Sequence, residues 1–250
     1  GTFNSLPAKT QDDFVKRAYD AFNGKTSKTL GGAIKANELA EIRVVGLTFE
    51  TRPDFIDEAR VGRLLNYGAT RVEMGVQSLD DEILCKVKRG HDVQATVDAT
   101  RTCKNAFLKV GYHIMPGLFS TPEKDVKMFR QLFEKPDFRP DMLKIYPCLV
   151  IPGTPLFELW RTGKFKPYEA EEAAEVIAKL KKFVPRYCRI MRVDRDIPTD
   201  KIAAGVKKSN LRELALAKAK ELGINCECIR CREVGLQTRF AESSLKRAEF

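Results

Sequence analysis

The stretch IRVVGLTFETRPDFIDEARVGRLLNYGATRVEMGVQS, residues 42–78, contains two apolar runs with an amphipathic segment between them. The first run, residues 42–50, is continuously apolar, which is typical of a strand covered on both faces. The middle segment predicts a helix, with Pro53 early and Gly68 as its stop. The second run, residues 70–78, predicts another strand. A strand, a helix and a strand in this order predict a parallel pair joined by a right-handed crossover.

The same alternation continues along the chain. Further strands are predicted at residues 107–117, 141–150 and 188–193, and helices at 121–135, with Thr121 as N-cap, and 169–184. We therefore expect an α/β fold, a partial (β/α) barrel built from residues 1–203. Residues 204–250 differ, because a helix at 210–223 leads into a cysteine-rich run. They predict a small C-terminal extension.

Polar side chains stand where the predicted strands end. In parallel barrels the chemistry gathers at the carboxyl ends of the strands. Several such ends carry polar groups, so a shared site is more credible than any one residue suggests. Taken singly, each could instead be a structural residue whose hydrogen bonds are made within the fold, and Glu50 could pair with Arg52 or Arg71. The residues at these ends are Glu50, Thr51, Arg52, Gln77, Ser78, His113, Met115, Pro116, Gly117 and Tyr146.

Three thiols lie close together in GINCECIRCREVG, residues 223–235. In a strand, Cys226 and Cys228 would share a face, and Cys231 would need a turn or bulge to join them. An iron-sulfur cluster, a zinc ion and simple burial are all compatible with this spacing. For zinc, the fourth ligand could be His91, His113, a cysteine from elsewhere or water. The other cysteines, predicted to be buried small hydrophobes, are Cys85, Cys103, Cys148 and Cys188.

The chain carries a formal charge of +10, from 44 basic and 34 acidic residues. Residues 179–212 alone contain eleven basic and three acidic side chains. This excess favours a polyanionic partner, although part of it could be an ordinary solvated helix face. Arg189 and Arg192 can serve one surface only if their strand contains a bulge. No secretion signal or bilayer-spanning run is evident, which indicates a reducing compartment.

Several segments resemble a known family. GVQSLDDEILCKVKRGH, residues 75–91, resembles a signature of radical S-adenosylmethionine (SAM) enzymes related to the oxygen-independent coproporphyrinogen oxidases. A finer resemblance, to the Elongator catalytic-subunit family, covers nearly the whole chain in order. It rests on GTFNSLP (1–7), ETRPDF (50–55), RVEMGVQS (71–78), FRPDMLKIYP (138–147), RDIP (195–198), SNLRELA (209–215) and REVG (232–235).

The resemblance implies a radical SAM barrel in an enzyme that carboxymethylates C5 of the wobble uridine of tRNA, with acetyl-CoA as carbon donor. Its cofactors would be SAM and a [4Fe-4S] cluster, with no catalytic residue assigned in this chain. By position in the motifs, the residues implied to bind SAM are Gly1, Thr2, Glu50, Gln77 and His113. Within the basic stretch at 179–212, the residues expected to meet the tRNA anticodon region are Arg186, Arg189, Arg192, Lys207, Lys208 and Arg212.

The family pattern also sets further expectations. The cluster-binding cysteines are expected before Gly1 and an acetyltransferase domain after Phe250, so the chain alone is expected to be inactive. Cys226, Cys228 and Cys231 follow the barrel at a spacing too tight for the family cluster, which favours zinc. We expect a cytoplasmic protein, without membrane contact, that joins other Elongator subunits only in a eukaryote. The alternatives are a coproporphyrinogen-type radical SAM oxidase and a non-catalytic tRNA-binding module.

Overall fold

The computed structural model describes residues 2–194, 197–233 and 235. Its centre is a sheet of five parallel strands whose spatial order equals their order in the chain. This confirms the α/β fold and the parallel sheet predicted from the strand–helix alternation. The strands are β1 (Thr48–Thr51), β2 (Arg71–Gln77), β3 (Lys109–Ile114), β4 (Met142–Ile145) and β5 (Arg189–Val193).

Nine α-helices precede, connect and follow these strands in the part of the chain that the structure describes. They are α1 (Ala8–Asn23), α2 (Leu30–Asn37), α3 (Glu58–Asn66), α4 (Asp81–Lys86), α5 (Val93–Asn105), α6 (Pro122–Glu134), α7 (Pro155–Arg161), α8 (Ala170–Lys181) and α9 (Leu211–Glu221). Short 3-10 helices lie at Phe3–Ser5, Pro53–Phe55, Thr199–Lys201 and Ile229–Arg232.

Side-chain caps fix where the connecting helices begin. Asp57 accepts a hydrogen bond from the Arg60 backbone N–H at 2.7 Å, and Asp92 accepts one from Ala95 at 2.8 Å. Thr121 is the N-cap of α6, as predicted from the sequence. Each such cap contributes about 1 kcal/mol to helix stability. The residues at which these helices begin are therefore determined by capping hydrogen bonds within the local sequence.

The prediction of the first strand was wrong for most of the residues it included. Residues 42–47 are not in a strand, and β1 begins only at Thr48. The side chain of Asn37 holds this segment instead, because its Oδ1 accepts from the Val44 N–H at 2.7 Å. Val45 is 84% exposed, so the apolar run is not covered on both faces. Apolar composition alone cannot distinguish a buried strand from such a connection.

One main hydrophobic core contains residues from both the sheet and the described part of the C-terminal extension. Leu211 and Ala215 of α9, together with Cys228, belong to the same buried cluster as the β-strands. Three of the four scattered cysteines are buried as predicted, but Cys85 is exposed on α4. Among the described residues, no helix is long and apolar enough to cross a membrane.

Candidate functional site

A polar cavity of about 660 Å³ opens at the carboxyl ends of the strands. Four of the residues assigned to SAM from the motifs line it, namely Thr2, Glu50, Gln77 and His113. Gly1, assigned with them, lies outside the described residues. The remaining lining residues are Thr51, Arg52, Gly75, Val87, Arg89, Met115, Leu118, Lys144, Tyr146 and Arg192. Ser78, Pro116 and Gly117 also stand near strand ends but do not line the cavity.

Gln77 reaches the cavity through an irregularity at the end of β2. The pairing of β2 with β3 shifts register between Met74 and Gln77. Gln77 also has a φ of +68°, a backbone conformation that non-glycine residues adopt rarely. Such outliers concentrate at binding and catalytic sites, where surrounding packing holds them in place. The bulge and the unusual φ together place the Gln77 side chain in the cavity.

Residues 89–91, the RGH of the motif, fold back onto the end of β2. The Arg89 guanidinium donates to the Gly75 carbonyl through Nη2 at 2.7 Å and Nε at 3.2 Å. A Cβ on Gly75 would lie only 2.3 Å from Arg89 Nη2 and 3.0 Å from Gln77 Nε2. A Cβ at position 75 would therefore displace the Arg89 guanidinium, so glycine there allows the RGH segment to pack against the GVQS segment.

Arg89 brings a positive charge to the cavity wall, where the carboxylates of Asp54 and Glu50 act on it from beyond ion-pairing distance. Among the described residues, no carboxylate lies within ion-pairing distance of its guanidinium. Burial lowers the pKa of Arg89 from its ordinary value, but an arginine stays protonated in proteins. A half-buried guanidinium that forms no direct ion pair is suited to an anionic group on a ligand.

Three charged or polar side chains meet at the base of the cavity. Glu73 Oε2 accepts from His113 Nε2 at 2.9 Å and from the Lys144 ammonium. Burial alone would raise the pKa of Glu73, but these hydrogen bonds and charges outweigh it and lower the pKa to about 2. His113 was predicted at this site from its position near a strand end, whereas Glu73 and Lys144 were not predicted. We call Glu73, His113 and Lys144 the ionic cluster.

The ionic cluster makes a specific pH dependence of stability predictable. The folded pKa of Glu73 lies below its ordinary 4.5, so its contribution is present above that value and is lost as pH falls through about 2. Linkage gives a contribution on the order of 1–3 kcal/mol. Glu73→Gln should therefore lose less stability than the wild type when urea unfolding is measured from about pH 5 down to about pH 2.5.

The exposed Glu41 provides the matched control for this prediction. Glu41→Gln should reproduce the wild-type slope of stability against pH. Equal slopes for the wild type and Glu73→Gln would contradict the ionic cluster.

Glu50 does not form the ion pairs considered from the sequence. Arg52 instead pairs with Asp54, to which its Nε donates at 2.9 Å. Glu50 Oε1 lies 3.6 Å from His113 Nδ1. The carboxylates of Glu50 and Glu73 and the His113 ring could together reach a metal ion. However, the Lys144 ammonium already neutralises Glu73, so a hydrogen-bonding organic ligand suits this site better than a second cation.

The cysteine run forms a compact cluster away from the cavity lining. The Sγ atoms of Cys226, Cys228 and Cys231 lie within 4.8 Å of one another. The run does not form a strand, and a 3-10 helix that starts after Cys228 supplies the turn that Cys231 was expected to need. Its first turn, with the Cys231 N–H donating to the Cys228 carbonyl at 3.0 Å, brings the third thiol back. Hydrogen bonds from the neighbouring thiols lower the pKa of Cys228 from its ordinary value.

Lys181, one of the eleven basic residues counted within residues 179–212, is buried against this cluster at 1% exposure. Its ammonium donates to Cys231 Sγ at 3.4 Å. The two histidines considered as a fourth ligand lie elsewhere, since His91 contacts the Gly75 carbonyl and His113 belongs to the ionic cluster. A separate cavity of about 420 Å³, lined in part by Cys226 and Cys231, borders the thiols.

The basic residues assigned to tRNA lie in three different settings. Arg186 pairs with Glu227, Arg189 pairs with Glu233, and Arg212 donates to the Ile190 carbonyl. Lys207 and Lys208 are exposed beside Trp160, and Lys208 approaches Glu171 at 3.6 Å. The pairing of β4 with β5 shifts register, which gives the bulge that Arg189 and Arg192 would need to serve one surface. Arg192 itself lines the polar cavity.

Two family descriptions match adjacent parts of the chain. Residues 24–133 match the radical SAM superfamily, and residues 140–221 match the radical SAM C-terminal domain. The chain belongs to the radical SAM superfamily. Its partial barrel is thus of the radical SAM type, as the motifs had implied.

Curated relatives confirm the finer resemblance to the Elongator catalytic subunit. The chain is 52% identical over 236 residues to the tRNA uridine(34) acetyltransferase of Methanocaldococcus infernus, covering 94% of this chain and 44% of that protein. It is 43% identical over 238 residues to Elongator complex protein 3 of Homo sapiens, covering 95% and 44%. This radical SAM chain thus spans less than half the length of these relatives.

A solved structure gives the same relationship. The archaeal Methanocaldococcus infernus Elp3 with an N-terminal deletion superposes with a TM-score of 0.92 at 52% identity. The match covers 94% of this chain and 56% of the other. Fold and sequence therefore point to one subgroup of radical SAM proteins.

Membership of the superfamily implies SAM and a [4Fe-4S] cluster as cofactors. The cavity fits SAM chemically, because its wall combines a carboxylate, an amide, an imidazole and the Arg89 guanidinium. No cysteine lines this cavity among the described residues. The cluster ligands are therefore not part of that lining, and the cysteine triplet borders a different cavity.

Proposed function

We propose that this chain is the SAM-binding part of an enzyme that carboxymethylates C5 of the wobble uridine of tRNA, with acetyl-CoA as carbon donor. The observation that carries the proposal is the polar cavity, in which Glu50, Gln77, Arg89 and His113 converge in a radical SAM barrel. The names of the relatives, tRNA uridine(34) acetyltransferase and Elongator complex protein 3, supply the substrate class. A tRNA substrate is consistent with a cytoplasmic location of the protein.

Bound SAM supplies a carbon-centred radical when its sulfonium is reductively cleaved at a [4Fe-4S] cluster. The residues of this chain bind and orient. Arg89 offers its guanidinium to an anionic group, the amide of Gln77 can donate or accept a hydrogen bond, and the carboxylate of Glu50 can accept one from an N–H or O–H group of the ligand. The apolar side chains of Val87, Met115 and Leu118 close part of the wall and limit water near a reactive radical.

An assay of the longer protein to which this chain corresponds tests the proposal. After anaerobic cluster reconstitution, it is incubated with SAM, acetyl-CoA and tRNA, and the nucleosides are analysed by mass spectrometry. We expect carboxymethylated uridine at the wobble position and its loss in Arg89→Met. Formation of 5′-deoxyadenosine without any modified uridine would contradict the tRNA assignment. Porphyrinogen turnover would favour the alternative oxidase.

We propose Lys207 and Lys208 as the centre of the tRNA surface. They are exposed, and they border a cavity of about 410 Å³ that Trp160 also lines. Cationic side chains neutralise phosphates, and an aromatic ring beside them offers a stacking surface for an unpaired base. The arginines at 186, 189 and 212 are committed to protein contacts, which makes them weaker candidates.

Charge reversal of Lys207 and Lys208 to glutamate should weaken tRNA binding at low salt. If both contact phosphate, the slope of log affinity against log salt should fall by roughly 1.4–1.8. Filter binding over a salt series measures both effects. The control is Lys25→Glu with Lys28→Glu, the same charge change on the exposed loop between α1 and α2. Equal losses in the two double variants would show only a net-charge effect.

We also propose that Cys226, Cys228 and Cys231 hold a structural zinc ion. Three cysteines whose Sγ atoms lie within 4.8 Å of one another match the ligand set of many zinc sites. The Lys181 ammonium beside them offsets part of the negative charge that the thiolates bring. The Ile229 N–H donates to the Cys188 carbonyl at 3.0 Å, so the site would fasten the extension to the entrance of β5.

A further inference from the structure

Charged residues occupy two neighbouring rows across the middle of the sheet. Glu50, Glu73 and Gly111 pair across β1, β2 and β3, and form the first row. His113 and Lys144 pair across β3 and β4 in the second row, which Arg192 of β5 continues. The interior of a parallel barrel is usually filled by branched apolar side chains. Charged side chains at these positions therefore need an explanation beyond packing.

The first row gives Glu73 a fixed and buried position. Its side chain is 7% exposed, against 51% for Glu50. A Cβ at Gly111 would lie 3.2 Å from Glu73 Cγ, so the glycine leaves room for the side chain to extend toward the second row. A buried carboxylate is retained only when it is paired and hydrogen-bonded. His113 and Lys144 meet both requirements.

The ionised Glu73 determines which nitrogen of His113 carries the proton. A carboxylate can only accept, so the Nε2 atom that it contacts at 2.9 Å must be the N–H. In the neutral ring, Nδ1 is then an acceptor. That nitrogen lies 3.6 Å from Glu50 Oε1, which is a second acceptor on the cavity wall. The Tyr146 ring packs edge-on against the imidazole at 5.6 Å and limits its rotation.

We propose that Glu73 is a positioning residue for the ligand of this cavity. It holds the proton on His113 Nε2, so that Nδ1 and Glu50 together present two acceptors to an O–H or N–H group of the bound ligand. Lys144 keeps Glu73 ionised and does not itself need to contact the ligand. This inference rests on the cavity being the SAM site proposed above, but the tautomer of His113 can be measured independently.

Imidazole nitrogen-15 NMR tests the tautomer directly. The chain contains only two histidines, His91 and His113, so His91→Gln assigns both sets of signals. At neutral pH we expect His113 as a single Nε2–H tautomer. The double variant Glu73→Leu, Lys144→Met replaces the charge pair by apolar groups of similar size, which folded proteins often tolerate. It should release His113 into a mixture of tautomers.

Glu50→Gln is the matched control, because it changes the other carboxylate and leaves Glu73 in place. It should keep the Nε2–H signal. A doubly protonated ring in the wild type, an Nδ1–H tautomer, or an unchanged tautomer in the double variant would each overturn the positioning role.

Equilibrium dialysis with labelled SAM extends the test to the longer, reconstituted protein. The double variant should bind SAM at least tenfold more weakly than the wild type. Equal affinities would overturn this inference and leave the proposed function standing. A wild type that binds no SAM would contradict the proposed function, and the His113 tautomer would still decide the positioning role.

Discussion

Cys228→Ser will lose stoichiometric zinc and unfold at a markedly lower temperature than the wild type. Cys228 is fully buried at the centre of the three thiols, so a serine there removes one ligand without opening the site to solvent. Zinc binding contributes roughly 10–16 kcal/mol to the folding of small zinc domains, and several kcal/mol of that should be lost here. Metal analysis of the purified protein and thermal unfolding with and without EDTA measure the two effects.

Two other cysteines separate zinc loss from simple loss of a thiol. Cys103→Ala removes an equally buried thiol from the core, and Cys85→Ser removes an exposed one. Both should keep their zinc and remain sensitive to EDTA, whereas Cys228→Ser should be insensitive. A wild type that contains no zinc, with all three thiols freely alkylated in the folded state, would rule out the site.

Gly75→Ala should have the second large effect. The new methyl group would meet Arg89 Nη2 at 2.3 Å and Gln77 Nε2 at 3.0 Å, so the Arg89 guanidinium must shift and the Gln77 amide must yield by a few tenths of an ångström. Overpacking of this kind costs about 1–3 kcal/mol of folding free energy. The hydrogen bonds from Arg89 to the Gly75 carbonyl would also be lost. Urea unfolding measures the cost, and weaker SAM binding by the longer protein should accompany it.

Gly62→Ala is the matched control, because it makes the same substitution where there is space. Gly62 lies inside α3, and a Cβ there meets no atom within 4 Å. Alanine is the better helix former, so this variant should be more stable by about 0.5–1 kcal/mol. If Gly75→Ala matched it, the close approach of Arg89 would not constrain position 75.

The sequence predicted those site residues that stand at strand ends. Gln77 and His113 follow from the strand pattern together with the family motifs, and both line the cavity. Glu73 and Lys144 were missed because they lie inside strands, where the pattern predicts core. A signal was nevertheless present. Each is a charged residue in an otherwise apolar strand, and their opposite signs suggest that they pair.

The failure at residues 42–47 has a different cause. An apolar run becomes a strand only when a neighbouring strand completes its hydrogen bonds, and local sequence does not record that neighbour. The Asn37 side chain, which holds Val44, is an unremarkable helix-end residue in the sequence. Likewise, the burial of Lys181 depends on the thiols fifty residues later, and no local pattern predicts it.

The order of the strands has a consequence for biogenesis. Within the described residues, every strand pairs with the strand that comes next along the chain, and none is inserted between two earlier ones. Synthesis on the ribosome proceeds in the same direction, so each unit can dock on a finished edge as it emerges. The ionic cluster is complete once β4 has been added, before the cysteine run has been made. The ionic cluster and the thiol site would therefore form in succession.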